Sequence, residues 1–326
     1  MAQTLNLNEL LALADTLADG EWHSGEALAG RYGITRAALS KRVEKLREWQ
    51  LEIESRQGLG YRMPSPLQRL DSATLQNAIA GLRVTVIPVA DSTNAQLLAA
   101  DATQDPQALF AEYQTEGRGR RGRQWVSPFG ANIYCSLAWS FALWPRQLTT
   151  LPLIVGVACA RALRRCGLDD VKLKWPNDLY VGTRKLGGVL VEHRAEAGGP
   201  CRVVIGIGLN VAMTRMQAGE VTQPWISLNE ALETRGLPRV DRQTLAIELL
   251  KALQSALHEF ERDGFDALAQ EWAALDLTLN QPVRVQESGR ELEGTARGVD
   301  EQGALRVEIM GELRSLHAGD VSLRLQ

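Results

Sequence analysis

Five apolar runs recur through the middle of the chain: VTVIPV (84–89), ALFAEY (108–113), NIYCSLAW (132–139), KLGGVLVEH (185–193) and VVIGIGLNV (203–211). They are of strand type and alternate with helical stretches, which predicts a mixed α/β domain over about 67–273. Within it, Leu151–Leu163, interrupted by Gly156 and Arg161, reads as a core helix, and Leu245–Leu275 as one long amphipathic stretch that closes the domain. Residues 274–326 change character to short alternating strands punctuated by glycine, the pattern of a small β-barrel. Residues 1–64 read as short helices followed by a hairpin, and Pro64 and Pro66 in MPSPLQRLD mark the boundary.

In the first segment Ser24 and Thr35 are good N-caps, and Gly33 marks a tight turn between two helices. Leu39, Val43 and Leu46 then fall on one stripe, with Arg36, Ala37, Ser40 and Lys41 on the other faces. Between Arg31 and Arg47 there are six basic residues against one acid, Glu44. A helix-turn-helix would put the start of its second helix against base edges, which suits Arg36, Ala37, Ser40 and Lys41. The hairpin tip Gln57–Gly60 would form a wing near the phosphates. The alternative is an ordinary three-helix module with a solvated charged face.

A formal net charge of −3 excludes a globally basic nucleic-acid coat, so any DNA contact must be a local patch. Met1–Trp22 carries acids and no positive stretch, so no signal peptide is expected, and no apolar run approaches the roughly 18 residues of a membrane span. Cys135, Cys159, Cys166 and Cys201 have no metal or redox spacing, and a cytoplasmic location is expected.

The chemistry concentrates in four stretches. GRGRRGRQW (117–125) packs four arginines and three glycines into seven positions before Trp125. It satisfies G-x-G-x-x-G literally, but another strand follows in place of a helix, and no acid occurs between Arg118 and Leu168. A dinucleotide fingerprint therefore fails. Glycines that let backbone N–H groups approach closely, beside permanently charged guanidiniums, suit a carboxylate or phosphate, although an exposed hairpin is the plain alternative. In KWPNDLYVGTRKLGGVLVEH (174–193), Asn177 and Asp178 place two oxygen-bearing side chains in a turn that can hold Mg²⁺ or ribose, and Lys185 can act as a point charge at a strand edge. GIGLNV clears space beside a strand and offers Asn210 to a base edge. DSTN (91–94) clusters polar groups at a helix start, where simple capping is the plain reading.

Together, DSTN, GRGRRGRQW followed by SPFGANIY and Ser136, KWPNDLY, RKLGGVLVE, GIGLNV and the closing GDVSLRL resemble the biotin–protein ligase family over nearly the whole chain. With the N-terminal helix-turn-helix, the resemblance is to the bifunctional ligases that also repress biotin synthesis genes. It implies a winged helix-turn-helix at 1–64, an α/β catalytic domain of the class II synthetase and biotin–lipoate ligase type at 67–273, and an SH3-like barrel at 274–326. The implied reaction joins biotin to ATP as biotinyl-5′-AMP, then passes biotin to a lysine on the biotin carboxyl carrier protein of acetyl-CoA carboxylase.

By resemblance, Ser92, Thr93, Asn94, Gln114, Trp125 and Gly188 belong to the biotin site, with Arg118, Gly119 and Arg120 wrapped around the carboxylate and phosphate. Arg118, Arg120 and Lys185 are the expected catalytic charges. Asn177, Asp178, Asn210 and Trp225 are expected on the nucleotide side, Asp178 with Mg²⁺ and Trp225 stacked on adenine. Operator DNA and a homodimer loaded with biotinyl-AMP are the implied partners, the dimer pairing through strand edges such as VLVEHR, with no membrane. Glu116 departs from the small residue usual before the first glycine, which puts the local loop geometry in question. His23, His193, His258 and His317 are isolated, so no general base is evident. A ligase without operator binding, a lipoate ligase and a non-enzymatic biotin sensor are the rival readings.

Overall fold

The computed structural model describes residues 6–195, 201–219, 221–287, 290–317 and 321–325. Met1–Leu5 of the expected leader-free start, and Gly319 and Asp320 of the closing motif, lie outside the described residues.

The N-terminal unit comprises α1 (Leu7–Leu17), α2 (Gly25–Arg31), α3 (Arg36–Glu48) and the antiparallel hairpin β1 (Glu54–Arg56) and β2 (Gly60–Arg62). Ser24 caps α2 by accepting from the Ala27 N–H at 3.4 Å, and Thr35 caps α3 through Ala38 at 3.1 Å. Leu39, Val43 and Leu46 are buried, and Arg36, Ala37, Ser40 and Lys41 are exposed along α3. Arg42, Lys45 and Arg47 are engaged internally with Glu9, Glu48 and Glu44, so part of the basic count serves the fold.

The hairpin is the predicted wing, tied to the helices where the backbones of His23 and Tyr61 pair. Gly60 must be glycine there: its φ is +102°, and a β-carbon would collide with the His23 carbonyl.

The central unit adds α4 (Ser72–Ala78), β3 (Arg83–Ala90), α5 (Thr93–Ala99), β4 (Gln107–Gln114), β5 (Ile133–Phe141), α6 (Leu151–Arg165), β6 (Val171–Lys174), β7 (Asp178–Val181), β8 (Arg184–Ala195) and β9 (Cys201–Leu209). All five predicted strand runs are strands. They form one seven-stranded sheet in the order β3-β4-β5-β9-β8-β7-β6, with β3 and β4 parallel and the remaining neighbours antiparallel.

The helices α7 (Arg215–Ala218), α8 (Leu228–Glu233), α9 (Arg242–Asp263) and α10 (Asp266–Leu275) follow. The stretch read as a single amphipathic element is thus two helices. Gly264 adopts φ +72° and gives its N–H to the Phe260 carbonyl at 2.9 Å, which ends α9. The Phe265 N–H then turns away to Gln147 Oε1 at 2.8 Å. A glycine in the left-handed region stops a helix even where the apolar periodicity runs on.

Two buried ion pairs brace this unit, Arg202–Asp105 at 2.7 Å and Arg242–Glu112 at 2.6 Å. The second also fixes the entry from the N-terminal unit. Glu112 accepts from the Leu70 N–H at 2.6 Å, and Arg242 donates to the carbonyls of Asn132 and Gln68 at 3.0 and 3.3 Å. Phe129, on the turn before β5, stacks on Trp49 with ring centroids 5.2 Å apart and belongs to the apolar core of the N-terminal helices.

The last unit is an antiparallel sheet of β10 (Pro282–Glu287), β11 (Arg290–Val299), β12 (Leu305–Ile309), β13 (Glu312–Leu316) and β14 (Val321–Leu325), in the order β13-β12-β11-β10-β14. This is the small C-terminal β unit expected. Its 301–303 turn docks beside α6, where Gln147 and Thr149 donate to the Glu301 and Gln302 carbonyls at 3.0 and 2.7 Å.

Candidate functional site

A cavity of about 860 Å³ opens on one end of the central sheet. Every pocket residue singled out from the sequence lines it: Ser92, Thr93, Asn94, Gln114, Arg118, Gly119, Arg120, Trp125, Asn177, Asp178, Lys185, Gly188, Asn210 and Trp225. Arg36, Ala37, Ser40 and Lys41 do not; they lie together on α3.

One wall grows from the ends of β3 and β4. Ser92 caps α5 through the Ala95 N–H at 3.5 Å, so the capping reading of DSTN holds for that residue. Thr93 and Asn94, which open the helix, are buried against the sheet. Gln114 Oε1 accepts from the Thr93 N–H at 2.9 Å, and its Nε2 donates to Ser127 Oγ at 3.1 Å. Ser127 in turn donates to the Trp125 carbonyl at 3.0 Å. Ser136, on β5, lies 2.7 Å from Thr93 Oγ1 and 2.6 Å from Asn94 Oδ1. The glycines of GIGLN now have a reason. A β-carbon on Gly206 would overlap the Asn94 amide, and one on Gly208 would overlap the Trp125 indole.

The arginine segment forms the facing wall. It folds back on itself through Trp125 N–H to Gly117 C=O at 2.8 Å and Gly119 N–H to Arg123 C=O at 2.7 Å. Gly117 is pressed so closely against the Trp125 carbonyl that a side chain there has no room. Arg121 adopts φ +58°, unusual for a residue with a β-carbon. Glu116, the departure from the family pattern, is exposed and gives its N–H to the Asp91 carbonyl at 2.8 Å.

The KWPND turn, between β6 and β7, meets this loop. Arg120 Nη1 donates to Asn177 Oδ1 at 3.1 Å, and Asn177 Nδ2 donates to the Val189 carbonyl at 2.6 Å. Lys185 Nζ lies 2.8 Å from Asp178 Oδ1 and 5.6 Å from the centre of the Trp125 ring. Burial lowers the Arg120 pKa from its usual value, and Arg121 and Arg123 press in the same direction, while Asp178 opposes them. Burial and the nearby Asp178 raise the Tyr180 phenol to about 12, so it stays a donor.

The outer rim is the segment after β9. Lys185 pairs its backbone with Pro224 and Ile226, which brings Trp225 to the cavity. Asn210 Nδ2 donates to the Ile226 carbonyl at 3.4 Å. The Arg215 guanidinium lies over the Trp225 ring, 4.2 Å from its centre, so this indole already receives one planar cation.

Among the described residues no three His, Cys, Asp or Glu side chains gather as a metal cage. Asp178 is the single carboxylate of the predicted metal set. That suits a Mg²⁺ ion carried mainly by phosphates and waters, its usual mode, and not a metal held by the protein alone. His23, His193, His258 and His317 all lie outside the cavity.

Sequence reasoning gave no role at the site to Ser136, Ser127, Lys174, Trp175, Tyr180 or Met213, all but Ser127 on the cavity wall. Ser136 carried a signal, a small hydroxyl side chain inside a largely apolar strand. Trp175 is placed from far away: its Nε1–H donates to the Gly303 carbonyl of the C-terminal unit at 3.0 Å.

Comparisons with known proteins agree with this geometry. The profile of the Biotin/lipoate A/B protein ligase family matches residues 86–210, that of the Biotin protein ligase C terminal domain residues 278–324, and that of an HTH domain residues 10–62. The chain is 42% identical over 96% of its length to the Bifunctional ligase/repressor BirA of Salmonella typhimurium, covering 97% of that protein, and equally to the one of Escherichia coli. Among solved structures, the biotin protein ligase from Aquifex aeolicus in complex with biotin and ATP superposes with a TM-score of 0.64. Its sequence identity is 27%, and the match covers 74% of this chain and 99% of that one.

Proposed function

The chain belongs to the biotin–protein ligase family, and from that premise we propose how its cavity and its N-terminal helices divide the work. The protein is an ATP-dependent biotin–[acetyl-CoA-carboxylase] ligase joined to a helix-turn-helix repressor of biotin synthesis genes. Its substrates are biotin, ATP and the biotin carboxyl carrier protein, and its other partner is operator DNA.

In the first step a biotin carboxylate oxygen bonds to the α-phosphorus of ATP, and the α–β bridging bond breaks as pyrophosphate leaves. In the second, the carrier lysine amine attacks the acyl carbon of biotinyl-5′-AMP, and AMP departs as the amide forms. Both steps crowd anionic oxygens together, so fixed positive charge in a sheltered pocket is the main catalytic requirement.

The observation that carries the residue assignment is the meeting of two unlike walls in one cavity. The buried chain Thr93–Gln114–Ser127, with Ser136 and Asn94, supplies the directional donors and acceptors that a ureido ring needs. Opposite it, Arg118, Gly119, Arg120 and Lys185 surround the place of the carboxylate and phosphate. Lys185 acts as an electrostatic clamp and Trp125 packs the loop. Gly188, on β8 beside Lys185 and Asp178, leaves the floor open for ligand. Asn177, Asp178, Asn210 and Trp225 serve the nucleotide, with adenine on the open side of Trp225. Mg²⁺ would travel with the triphosphate, Asp178 giving its one protein carboxylate and the ion neutralising phosphate charge.

Arg36, Ala37, Ser40 and Lys41 would face base edges, their exposure on α3 supporting that role. A single winged helix makes few base contacts, so two copies on a two-fold operator are expected. From Leu190 onward β8 pairs with β9 on one side, and among the described residues no strand covers the other. This edge, beside the half-exposed Trp144 ring that packs on His193 at 5.6 Å, supports a homodimer formed when biotinyl-AMP orders the arginine loop. Cytoplasmic residence agrees with four free, buried cysteines. Among the described residues no helix is long and apolar enough to cross a membrane.

Biotin-dependent release of pyrophosphate from ATP tests the enzyme: release with lipoate in place of biotin, or none at all, rejects the reading. Sedimentation and mobility shift with no ligand, with biotin, and with biotin plus ATP test the coupling. Equal operator affinity in all three would leave a ligase with an unregulated reader.

A further inference from the structure

Asn94 is buried, and the orientation of its amide is not left to chance. Its Nδ2 donates to Glu192 Oε2 at 2.8 Å and approaches the Leu190 carbonyl at 3.5 Å, while its Oδ1 takes the Ser136 hydroxyl at 2.6 Å. Glu192 is half-buried on β8, beyond the glycine pair Gly187–Gly188, and is opposite Val204 of β9. A carboxylate only accepts, so the Asn94 nitrogen must face Glu192 and the amide oxygen must face Ser136. Ser136 then spends its one proton on Asn94, and Thr93 Oγ1, 2.7 Å away, is left to donate to Ser136 or to Gln114 Oε1 at 3.2 Å. Beyond it, the Thr93 backbone N–H, which can only donate, orients Gln114, and the Trp125 carbonyl, which can only accept, takes the Ser127 proton. Glu192, which does not line the cavity, thus sets the sense of the Asn94 and Ser136 hydrogen bonds at the outer end of this wall.

We propose that Glu192 is a positioning residue for biotin: its carboxylate locks Asn94, and through Asn94 the Ser136 hydroxyl, in the orientation that receives the ligand. One lone pair of Asn94 Oδ1 is used by Ser136, and the other is kept for a ligand N–H. Without the carboxylate the amide can flip and present N–H groups in that place. Binding must then first select the correct orientation, which weakens apparent affinity by the fraction lost. The inference rests on the assignment of this wall to biotin.

The test uses the full-length chain, with biotin binding followed by calorimetry in the absence of ATP, alongside the KM for ATP and the melting temperature. Glu192→Leu should weaken biotin about ten-fold, the scale of one buried donor losing its acceptor, with little change in the KM for ATP. Glu192→Gln retains an acceptor and should bind within about three-fold of the wild type. Asn94→Asp sets two carboxylates face to face and should lose biotin. Adding Glu192→Gln should restore part of the loss, because the Gln amide can donate to the introduced carboxylate. The inference is overturned if Glu192→Leu binds biotin as tightly as the wild type. It is equally overturned if Glu192→Gln falls as far as Glu192→Leu and the paired substitution restores nothing. A wild-type chain that gives no biotin heat removes the assignment of the wall itself, and the inference with it.

Discussion

On the wall that carries Asn94, the polar side chains sit on a strand end, a helix start and a strand interior, and each has its partner in place: Thr93 with Gln114, Asn94 with Glu192, Ser136 with both Thr93 and Asn94. On the arginine wall, Arg118, Arg121 and Arg123 are exposed, and the backbone holds Arg121 at φ +58° and Gly122 at φ +71°. Arg120 is less exposed and reaches across to Asn177 at 3.1 Å. The first wall is finished before a ligand arrives. The second brings like charges together in a conformation that costs on the order of 1 kcal/mol per non-glycine residue with positive φ, and an anion would relieve that repulsion. A neutral ring needing directional hydrogen bonds is best met by the rigid wall. On the proposed assignment, a phosphate, recognised chiefly by charge, would fall to the arginine wall.

Substitutions can break this contrast. The largest effect should come from Lys185→Ala, which removes a charge and leaves Asp178 without its 2.8 Å partner. Adenylation should fall about 100-fold or more, while Lys185→Arg stays measurable; pyrophosphate release reports both. A covalent biotinyl adduct on Lys185 required for transfer would show that the clamp role is wrong.

Next, Gly206→Ala should damage the rigid wall, because the methyl group enters the Asn94 amide. Overpacking of about 1.4–2.7 kcal/mol, within the usual range for an added methyl group, predicts a loss of biotin affinity of about ten- to hundred-fold, read by calorimetry. Arg120→Gly should raise the dissociation rate of biotinyl-AMP by about ten-fold or more while affecting free biotin less, since a charge-assisted contact is worth about 1.5–3 kcal/mol. Unchanged adenylate retention in a filter-binding assay would reject its role. The smallest effect belongs to Gly122→Ala. Nothing lies within 4 Å of the added methyl, so only the positive φ of +71° is penalised. A loss of about 1 kcal/mol, near five-fold in adenylate affinity, is expected. If Gly122→Ala proves as damaging as Gly206→Ala, the loop is as rigid as the wall and the contrast fails.

Much of the cavity was legible because its chemistry is written in local signals. Glycines beside Trp125, an Asn-Asp turn after Pro176 and a lysine opening a strand each carry their reason within a few residues. The strand runs were legible for the same reason, each a short apolar segment bounded by turn residues. What stayed hidden depends on partners distant in sequence. Nothing near Trp175 announces Gly303, and nothing near Asn94 announces Glu192. Gly264 was visible but outweighed by an apolar period that continues across it. The structure shows that the backbone dihedral, not the periodicity, decides where α9 stops.

Phe129 belongs to the catalytic stretch of the chain, yet it is 1% exposed and fills the core formed by α1, α2 and α3, with Val89 and Tyr113 packed at its margin. Cutting the polypeptide at the proline-marked join would therefore strand an aromatic patch in water on the catalytic piece and leave a gap beside Trp49 in the reader. Exposed apolar surface of that kind favours aggregation. The two units therefore share a buried aromatic contact and are not independent surfaces. A shortened ligase would be expected to gain from a polar residue at 129, and a different reader grafted onto this catalytic unit from an aromatic receptor where Trp49 now stands.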